Sequence, residues 1–267
     1  MVEESGRRWV GSMSEIYDRW LVPTVFRPFA TDLAARVAAR GPGRILELAA
    51  GTGVLTRELV AAPGVAEVIA TDLNEAMVDY GRRQVPDATW RQADALDLPF
   101  EDGAFDVVAC QFGAMFFPDK AAGFAEARRV LRPGGSLFIN VWDTLDRHDF
   151  EVAVVAGAAL AFPHDPPTFL ASIPHGYADR DAIAADLAAG GLTCLAAETI
   201  RLEGRAESVA NLGTGYCTGT PLRAEIEARG DLAAATAVIV GEMERRLGAG
   251  EATGLMGAHV LEATPTA

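Results

Sequence analysis

The sequence predicts an α/β fold in which a mostly parallel sheet carries helices on both faces. From residue 44 onwards, short apolar runs alternate with helical periodicity, which is typical of such sheets. The first apolar run ends near Glu47 and leads into a glycine turn at Gly51 and Gly53, and the second run ends at Asp72. A chain of 267 residues, 50% of them hydrophobic, is long enough to bury a core of this kind.

The alternation fixes the order of the central elements. Strands are expected at residues 44–48, 68–72, 88–92, 105–111 and 136–142, and helices at 53–61, 74–83 and 120–131. Asn74 is a plausible N-cap, since its side-chain oxygen can accept a backbone N–H of the first helical turn. The Arg-Pro-Gly-Gly stretch at 132–135 predicts a turn before the fifth strand.

The segments on either side of this alternation are predicted to cover the sheet. Residues 5–30 are rich in aromatic side chains, and Pro23 and Pro28 predict two short helices there, followed by a helix at 31–40. After residue 145, we expect helices at 150–161 and 181–189, with a proline-rich loop between them, and a strand at 193–202. Residues 206–246 should be largely helical, with a break at 213–221, before a last strand at 257–263. We therefore expect an N-terminal helical lid (1–30) and a main domain (31–267) with cap insertions at about 145–178 and 205–250.

The composition narrows the classes of function. The formal net charge is −14 and the pI is near 4.7, which disfavours nucleic acid and an anionic membrane surface as partners. The three cysteines are isolated and resemble small core residues in a reducing compartment. No signal peptide or membrane span is visible, so a cytoplasmic protein is expected. The oligomeric state stays open, with a homodimer as one option.

The glycine turn and the two acids predict a ligand site. In a parallel sheet, nucleotide-like ligands bind in the crevice outside the carboxyl ends of the strands. Gly51 and Gly53 carry no Cβ atom that would keep a ligand away from the backbone. Asp72, at the tip of the second strand, is placed to bind a ribose diol. The pattern therefore predicts a cofactor that contains adenosine.

Five sequence blocks resemble the class I S-adenosylmethionine-dependent methyltransferases, in the branch related to ubiquinone and menaquinone biosynthesis. They occur in family order, which makes the resemblance far more specific than one Gly-x-Gly would be. The resemblance is close over residues 15–143, and it implies a Rossmann-like sheet of seven strands with the last one antiparallel. The blocks are Glu47-Leu-Ala-Ala-Gly-Thr-Gly53, Asp72-Leu-Asn-Glu-Ala-Met77, Gln92-Ala-Asp-Ala-Leu96, the strand starting at Phe105, and Arg129-Val-Leu-Arg-Pro-Gly-Gly135.

The resemblance implies roles for individual residues toward S-adenosylmethionine. Glu47 would interact with the amino group, and the helix N-terminus near Gly53 would offer N–H groups to the carboxylate. Asp72 would accept both ribose hydroxyls, and Asp94 would accept the adenine amino group. The family's first glycine is Ala49 here, which suggests an ordinary negative φ. The remaining candidates are Leu73, Met77, Ala95 and Leu96 around the adenine, Tyr17 over the methionine end, and Gln111 beside the sulfonium.

Residues beyond these blocks are candidates for an acceptor pocket. The aromatic and methionine residues after the fourth strand are partly ordinary core, and the rest can line an apolar pocket. Among the histidines, His175 is our candidate for a catalytic or substrate-orienting role, since imidazole can take a proton near neutral pH. The expected pocket residues are Phe112, Met115, Phe116, Trp142, His148 and Tyr177.

The leading hypothesis is methyl transfer to a small, apolar or aromatic acceptor, with no metal predicted. A first alternative is an NAD-dependent oxidoreductase, which has the same strand–glycine–helix start. The third glycine of its Gly-x-Gly-x-x-Gly motif is replaced by Val54 here. A second alternative is a protein of the same fold that binds S-adenosylmethionine without transferring the methyl group, or that catalyses a rearrangement.

Overall fold

A computed structural model describes residues 13–266. Their seven strands form one sheet in the order β3-β2-β1-β4-β5-β7-β6. The first five pair in parallel, and β7 runs antiparallel to both β5 and β6. The predicted fold class is thereby confirmed. The strands are β1 (Arg44–Glu47), β2 (Glu67–Asp72), β3 (Thr89–Gln92), β4 (Phe105–Gln111), β5 (Leu131–Trp142), β6 (Leu192–Ala206) and β7 (Ala252–Pro265).

Helices cover the sheet and extend beyond its carboxyl edge. Those between the strands are α3 (Val54–Ala61), α4 (Glu75–Gln84), α5 (Lys120–Val130) and α8 (Arg180–Ala189). Ahead of β1 lie α1 (Met13–Ile16), a π-helix (Tyr17–Phe26) and α2 (Arg27–Ala38). Residues 145–178 contain α6 (Asp149–Ala161) and α7 (Phe169–Ser172), and residues 205–250 contain α9 (Val209–Thr218), α10 (Leu222–Glu227) and α11 (Leu232–Leu247). Within residues 13–266, no helix is long and apolar enough to cross a membrane.

Alternating strand residues build two apolar layers, one on each face of the sheet. Ile45 belongs to one layer and its neighbour Leu46 to the other, and both are fully buried. Val107 and Val108 in β4 divide in the same way. This division follows from the two-residue repeat of a strand, because each face is covered by helices and needs its own apolar side chains.

Polar caps set several helix starts. The Asn74 side chain accepts the Ala76 N–H at 2.9 Å, which confirms the predicted cap of α4. Asp119 caps α5 and Asp179 caps α8 in the same manner. Each cap satisfies a backbone donor that has no partner inside the helix.

The prediction of two short helices before residue 31 is wrong. Residues 13–38 form an almost continuous helical segment whose middle part is the π-helix. Pro23 lies inside the π-helix, and Pro28 lies in the first turn of α2, where its missing N–H needs no partner. Residues 1–12 of the expected lid fall outside the described residues.

In the second half of the chain, β6 and β7 are longer than the expected 193–202 and 257–263, and two further predictions are wrong. The Arg-Pro-Gly-Gly stretch is a bulge within β5, because Leu131 and Ser136 face Phe105 and Val107 of β4. The predicted break at 213–221 is too early, since α9 continues to Thr218. Gly213 does not end this helix but lets it pack closely, because a Cβ there would lie 2.8 Å from the Met243 sulfur.

Candidate functional site

A cavity opens at the carboxyl ends of β1, β2 and β4. β1 lies between β2 and β4, so the crevice is at the point where the strand order reverses. That is the usual ligand position in open α/β sheets. The predicted cofactor residues that line it are Tyr17, Glu47, Ala49, Gly51, Asp72, Leu73, Met77, Asp94, Ala95, Leu96 and Gln111.

The glycine turn after β1 gives room on the cavity side and close packing behind it. A Cβ on Gly51 would meet no atom within 4 Å, and its φ is +56°. Gly53 does not line the cavity. Its φ is +92° at the N-cap of α3, and a Cβ there would lie 3.0 Å from the Trp90 ring. Gly51 therefore leaves ligand space, whereas Gly53 is required by the backbone and by Trp90.

The expectation of a negative φ at Ala49 is wrong, because its φ is +52°. Hydrogen bonds on both sides hold this bend: Leu48 N–H donates to the Ala109 carbonyl and Ala50 N–H to the Thr71 carbonyl, both at 2.9 Å. The Ala49 methyl group packs against Gly113, where a Cβ atom would lie only 2.4 Å from it. The two neighbouring strands thus impose a left-handed conformation that alanine alone disfavours.

Glu47 is 1% exposed, and its Oε2 accepts a hydrogen bond from Thr56 Oγ1 at 2.6 Å. Burial, aided by the nearby Asp72 charge, raises the pKa of Glu47 to about 8, although the Thr56 hydrogen bond opposes the shift. A cationic partner would stabilise the ionised form of this buried carboxyl group. The amino group of an amino-acid-like ligand would be such a partner.

Asp72 connects the glycine turn to the tip of β2. Its Oδ2 accepts the Gly51 N–H and its Oδ1 accepts the Asn74 N–H, both at 2.9 Å. Burial raises the pKa of Asp72, and these backbone hydrogen bonds oppose the rise. Each carboxylate oxygen has a second lone pair free for a ligand hydroxyl.

Four side-chain polar atoms of cavity-lining residues have no hydrogen-bond partner among residues 13–266. They are Thr52 Oγ1, Gln111 Oε1, Glu151 Oε2 and His175 Nε2, all buried. Buried polar groups in native proteins are almost always satisfied, so a polar ligand fits here. Asp94, by contrast, is exposed at the rim, where its Oδ1 accepts the Leu96 N–H at 2.9 Å. These features are compatible with S-adenosylmethionine, which carries polar groups along its whole length.

The far wall of the cavity is aromatic. The Phe112 and Trp142 rings are stacked with centroids 3.4 Å apart and planes at 10°. Phe29 meets both rings edge-on, at 5.4 and 5.1 Å. Met115 and Phe116 also line this part, as expected for an acceptor pocket.

His175 lines the cavity, but two other predicted pocket residues do not. His148 is fully buried behind His175, with ring centroids 4.3 Å apart, and burial lowers its pKa to about 4. Tyr177 points away, because its hydroxyl donates to Asp186 Oδ2 at 2.8 Å. Burial also lowers the pKa of His175, whose Nδ1 lies 2.7 Å from the Asp143 carbonyl oxygen.

Sequence reasoning missed several polar cavity residues, namely Thr52, Thr71, Thr220 and Glu151, of which Glu151 is the ionisable one. It is 3% exposed, lines the cavity beside His175, and its Oε1 accepts the Tyr216 hydroxyl at 2.6 Å. Burial raises its pKa. The sequence contains a weak signal: Glu151 is the second acid of an otherwise apolar helix and lies three residues after His148. Such an acid, buried on the same helical face as a histidine, is expensive unless it has a function.

The sheet order, the glycine turn and the acids at the strand tips define a Rossmann-like enzyme of the nucleoside-cofactor class. A family described as "Methyltransferase domain" matches residues 45–135. The ubiquinone/menaquinone biosynthesis C-methyltransferase UbiE of Burkholderia cenocepacia (strain HI2424) is 35% identical over 189 residues, 66% of this chain and 76% of that protein. This chain belongs to the class I S-adenosylmethionine-dependent methyltransferases, in the UbiE-like branch.

Solved structures with the same fold support the architecture. The YcgJ protein from Bacillus subtilis has a TM-score of 0.59 at 18% identity, covering 90% of this chain and 99% of that one. The [4+2]-cyclase SpnF has a TM-score of 0.56 at 19% identity, covering 89% of this chain and 82% of that one. At such identities the likeness concerns the fold alone. The family match and the UbiE relatives, not these structures, identify the protein as an S-adenosylmethionine-dependent methyltransferase.

We predict that Ala49→Gly stabilises the protein by about 1 kcal/mol, because glycine adopts a positive φ without the steric cost that alanine bears. Urea unfolding at pH 7 measures the change. As a matched control, Ala185→Gly at an exposed position inside α8 should destabilise by about 1 kcal/mol. Equal destabilisation by both variants would contradict the strain at residue 49.

Glu47→Gln should flatten the pH dependence of stability. Because the folded pKa of about 8 exceeds the unfolded value of 4.5, the native state keeps a proton that the unfolded chain loses between these values. Stability of the cofactor-free wild type therefore falls as pH rises through this window. Unfolding free energies at pH 5, 6.5 and 8 test this. Glu101→Gln, at an exposed loop position, should keep the wild-type slope, and an unchanged slope in Glu47→Gln would refute the assignment.

Proposed function

We propose that this enzyme methylates a small, ring-containing acceptor that carries a hydroxyl group. The observation that supports this most is the division of one cavity into a polar wall and an aromatic wall that ends in His175 and Glu151. The relatives named ubiquinone/menaquinone biosynthesis C-methyltransferase favour the same acceptor class. A ring carbon is then the favoured methyl acceptor.

We propose that the polar wall binds the cofactor. Bound S-adenosylmethionine would supply an activated methyl group. Asp72 would hold the ribose hydroxyls, since both its oxygens already lie at the strand tip with free lone pairs. Glu47 would pair with the ammonium group, and Gln111 would use its unpartnered Oε1 nearby. Asp94, Leu73, Met77, Ala95 and Leu96 would surround the adenine, and Tyr17 would cover the methionine end.

The aromatic wall would position the acceptor ring. Stacked Phe112 and Trp142 present a flat apolar surface, against which an aromatic ring can pack. Methyl transfer breaks the sulfur–methyl bond, whose electron pair stays on sulfur, and forms a new bond from the acceptor's ring carbon to the methyl group. The proton displaced from that ring carbon passes to water as the product leaves. The enzyme's part is to align the two reactants and to exclude water.

The polar end of the cavity would orient the acceptor hydroxyl. The His175 Nδ1–H donates to the Asp143 carbonyl in the tautomer that this contact requires, which leaves a lone pair on Nε2. Nε2 is buried and has no hydrogen-bond partner among the described residues. A hydroxyl that donates to Nε2 gains electron density, which activates the ring carbon next to it. His148 and Tyr177 would act only indirectly, since neither lines the cavity.

Three remote segments would cover the reactants. The support is that residues 13–30, 145–178 and 205–250 supply Tyr17, His175 and Tyr216 to the cavity lining. The net charge of −14 supports a neutral or cationic small molecule rather than nucleic acid. A cytoplasmic location and a homodimer remain hypotheses that cell fractionation and sedimentation can test.

Asp72→Ala should weaken binding of S-adenosylhomocysteine by about 1–3 kcal/mol, the loss expected for a buried hydrogen-bonding group. Calorimetry measures the affinity. Because the variant also loses acceptors for two backbone N–H groups, its melting temperature is recorded, and Asp72→Asn serves as a milder change. Asp79→Ala, exposed on α4, should bind like the wild type. Unchanged affinity in a folded Asp72 variant would remove this residue from the ribose site.

Transfer of labelled methyl from S-adenosylmethionine to a panel of hydroquinones, naphthols and saturated alcohols tests the acceptor class. We expect labelling of hydroxylated rings, and a loss of about 100-fold or more in kcat for His175→Gln with cofactor affinity retained. His164→Gln, exposed in the same insertion, is the matched control. Cofactor binding without labelling of any ring acceptor would favour a non-transferring or rearranging enzyme instead.

A further inference from the structure

A buried group of two imidazoles and one carboxylate lies behind the polar end of the cavity. The group is formed by His148, Glu151 and His175, and one ligand atom from each lies within 4.8 Å of the others. The three residues are 0%, 3% and 8% exposed. From these residues and contacts we propose that this cluster, named here the His-Glu-His cluster, binds one divalent transition-metal ion.

Unsatisfied polar atoms are the first support. Both ring nitrogens of His148, Oε2 of Glu151 and Nε2 of His175 have no hydrogen-bond partner among residues 13–266. His148 Nδ1 and Glu151 Oε2 are 3.7 Å apart, too far for a hydrogen bond. Leaving several such groups unpaired in one buried place is costly. A cation between them would satisfy one atom of each residue at once.

The surroundings of the cluster are a second, independent support. Ligating histidines usually donate their other ring N–H to a carbonyl or carboxylate, and ligating carboxylates are themselves hydrogen-bonded. His175 has this arrangement, with Nδ1 2.7 Å from the Asp143 carbonyl oxygen. Glu151 has it too, because Tyr216 donates to Oε1 at 2.6 Å and leaves Oε2 facing the cluster. Both side chains are thus oriented with their free atoms toward a common point.

The ligand set indicates which ions fit. Two imidazoles and one carboxylate suit zinc, iron(II) or cobalt(II), whereas magnesium and calcium prefer oxygen ligands only. Three protein ligands leave at least one coordination position open, as in catalytic sites. Glu151 and His175 line the cavity, so the open position faces it. If the proposed function holds, the acceptor oxygen would bind there, and His175 would act as a metal ligand instead of contacting the hydroxyl directly.

Metal content tests the proposal without any acceptor. The full chain is purified, exposed to Zn²⁺ or Co²⁺, and passed over a desalting column before mass-spectrometric metal analysis. We expect about one equivalent per chain, visible d–d absorption for the cobalt form, and no competition from excess Mg²⁺. X-ray absorption of the zinc form of the wild type should show imidazole and oxygen ligands, and this measurement needs no variant.

Variants separate the cluster from adventitious binding. Glu151→Gln and His148→Ala should lower metal affinity by more than about 100-fold, and Tyr216→Phe by about 10- to 100-fold through the lost hydrogen bond to Glu151. His164→Ala should bind like the wild type. Circular dichroism checks that each variant is folded. Less than a tenth of an equivalent retained by the wild type, or wild-type metal affinity in folded Glu151→Gln and His148→Ala, would overturn the proposal. Either result leaves cofactor binding and methyl transfer to be judged by their own assays.

Discussion

Two acids at the tips of neighbouring parallel strands, the buried Glu47 and the half-buried Asp72, are the constraint on which the rest of the site depends. Glu47 ends β1 and Asp72 ends β2, and the charge of Asp72 contributes to the raised pKa of Glu47. Such a pair is unfavourable unless hydrogen bonds surround it. The Gly51 and Asn74 N–H groups and the Thr56 hydroxyl supply them, and in doing so fix the glycine turn and the starts of two helices. A cationic, hydroxyl-rich ligand would complete this arrangement.

Much of the site at the carboxyl ends of β1 and β2 is predictable from sequence, because the sequence signals there are local. Strand ends, glycine turns and caps are determined by a few consecutive residues, and the predicted Asn74 cap is an example. The φ of Ala49 is not predictable in this way. Its sign is set by hydrogen bonds to residues of two other strands and by the absence of a side chain at Gly113, far along the chain. Local propensity favours the opposite sign.

The part of the cavity that we propose holds the acceptor is harder to predict, because three segments far apart in sequence build it. Tyr177 and His148 lie close in sequence to cavity residues but do not line the cavity. The Tyr177 hydroxyl is hydrogen-bonded to Asp186, and His148 is buried behind His175. Glu151 is only weakly signalled by its local sequence, as an acid three residues after His148. The hydrogen bond that holds its carboxyl group at the cavity wall comes from Tyr216, 65 residues away, and cannot be read from that local pattern. The long-range packing of α6 against the second insertion decides its position.

Different parts of the cavity therefore suit different parts of the proposed reaction. Acids and glycines at the strand tips suit a polar, charged cofactor, and the same cavity is also lined by the stacked Phe112 and Trp142 rings and by Glu151 and His175. A sulfonium directly beside the His-Glu-His cluster would bring positive charge close to imidazoles and any bound cation. An acceptor ring packed against the aromatic surface would keep the two apart. Its carbon would face the methyl group while its oxygen is held at the far end, which would favour carbon over oxygen as the methylated atom.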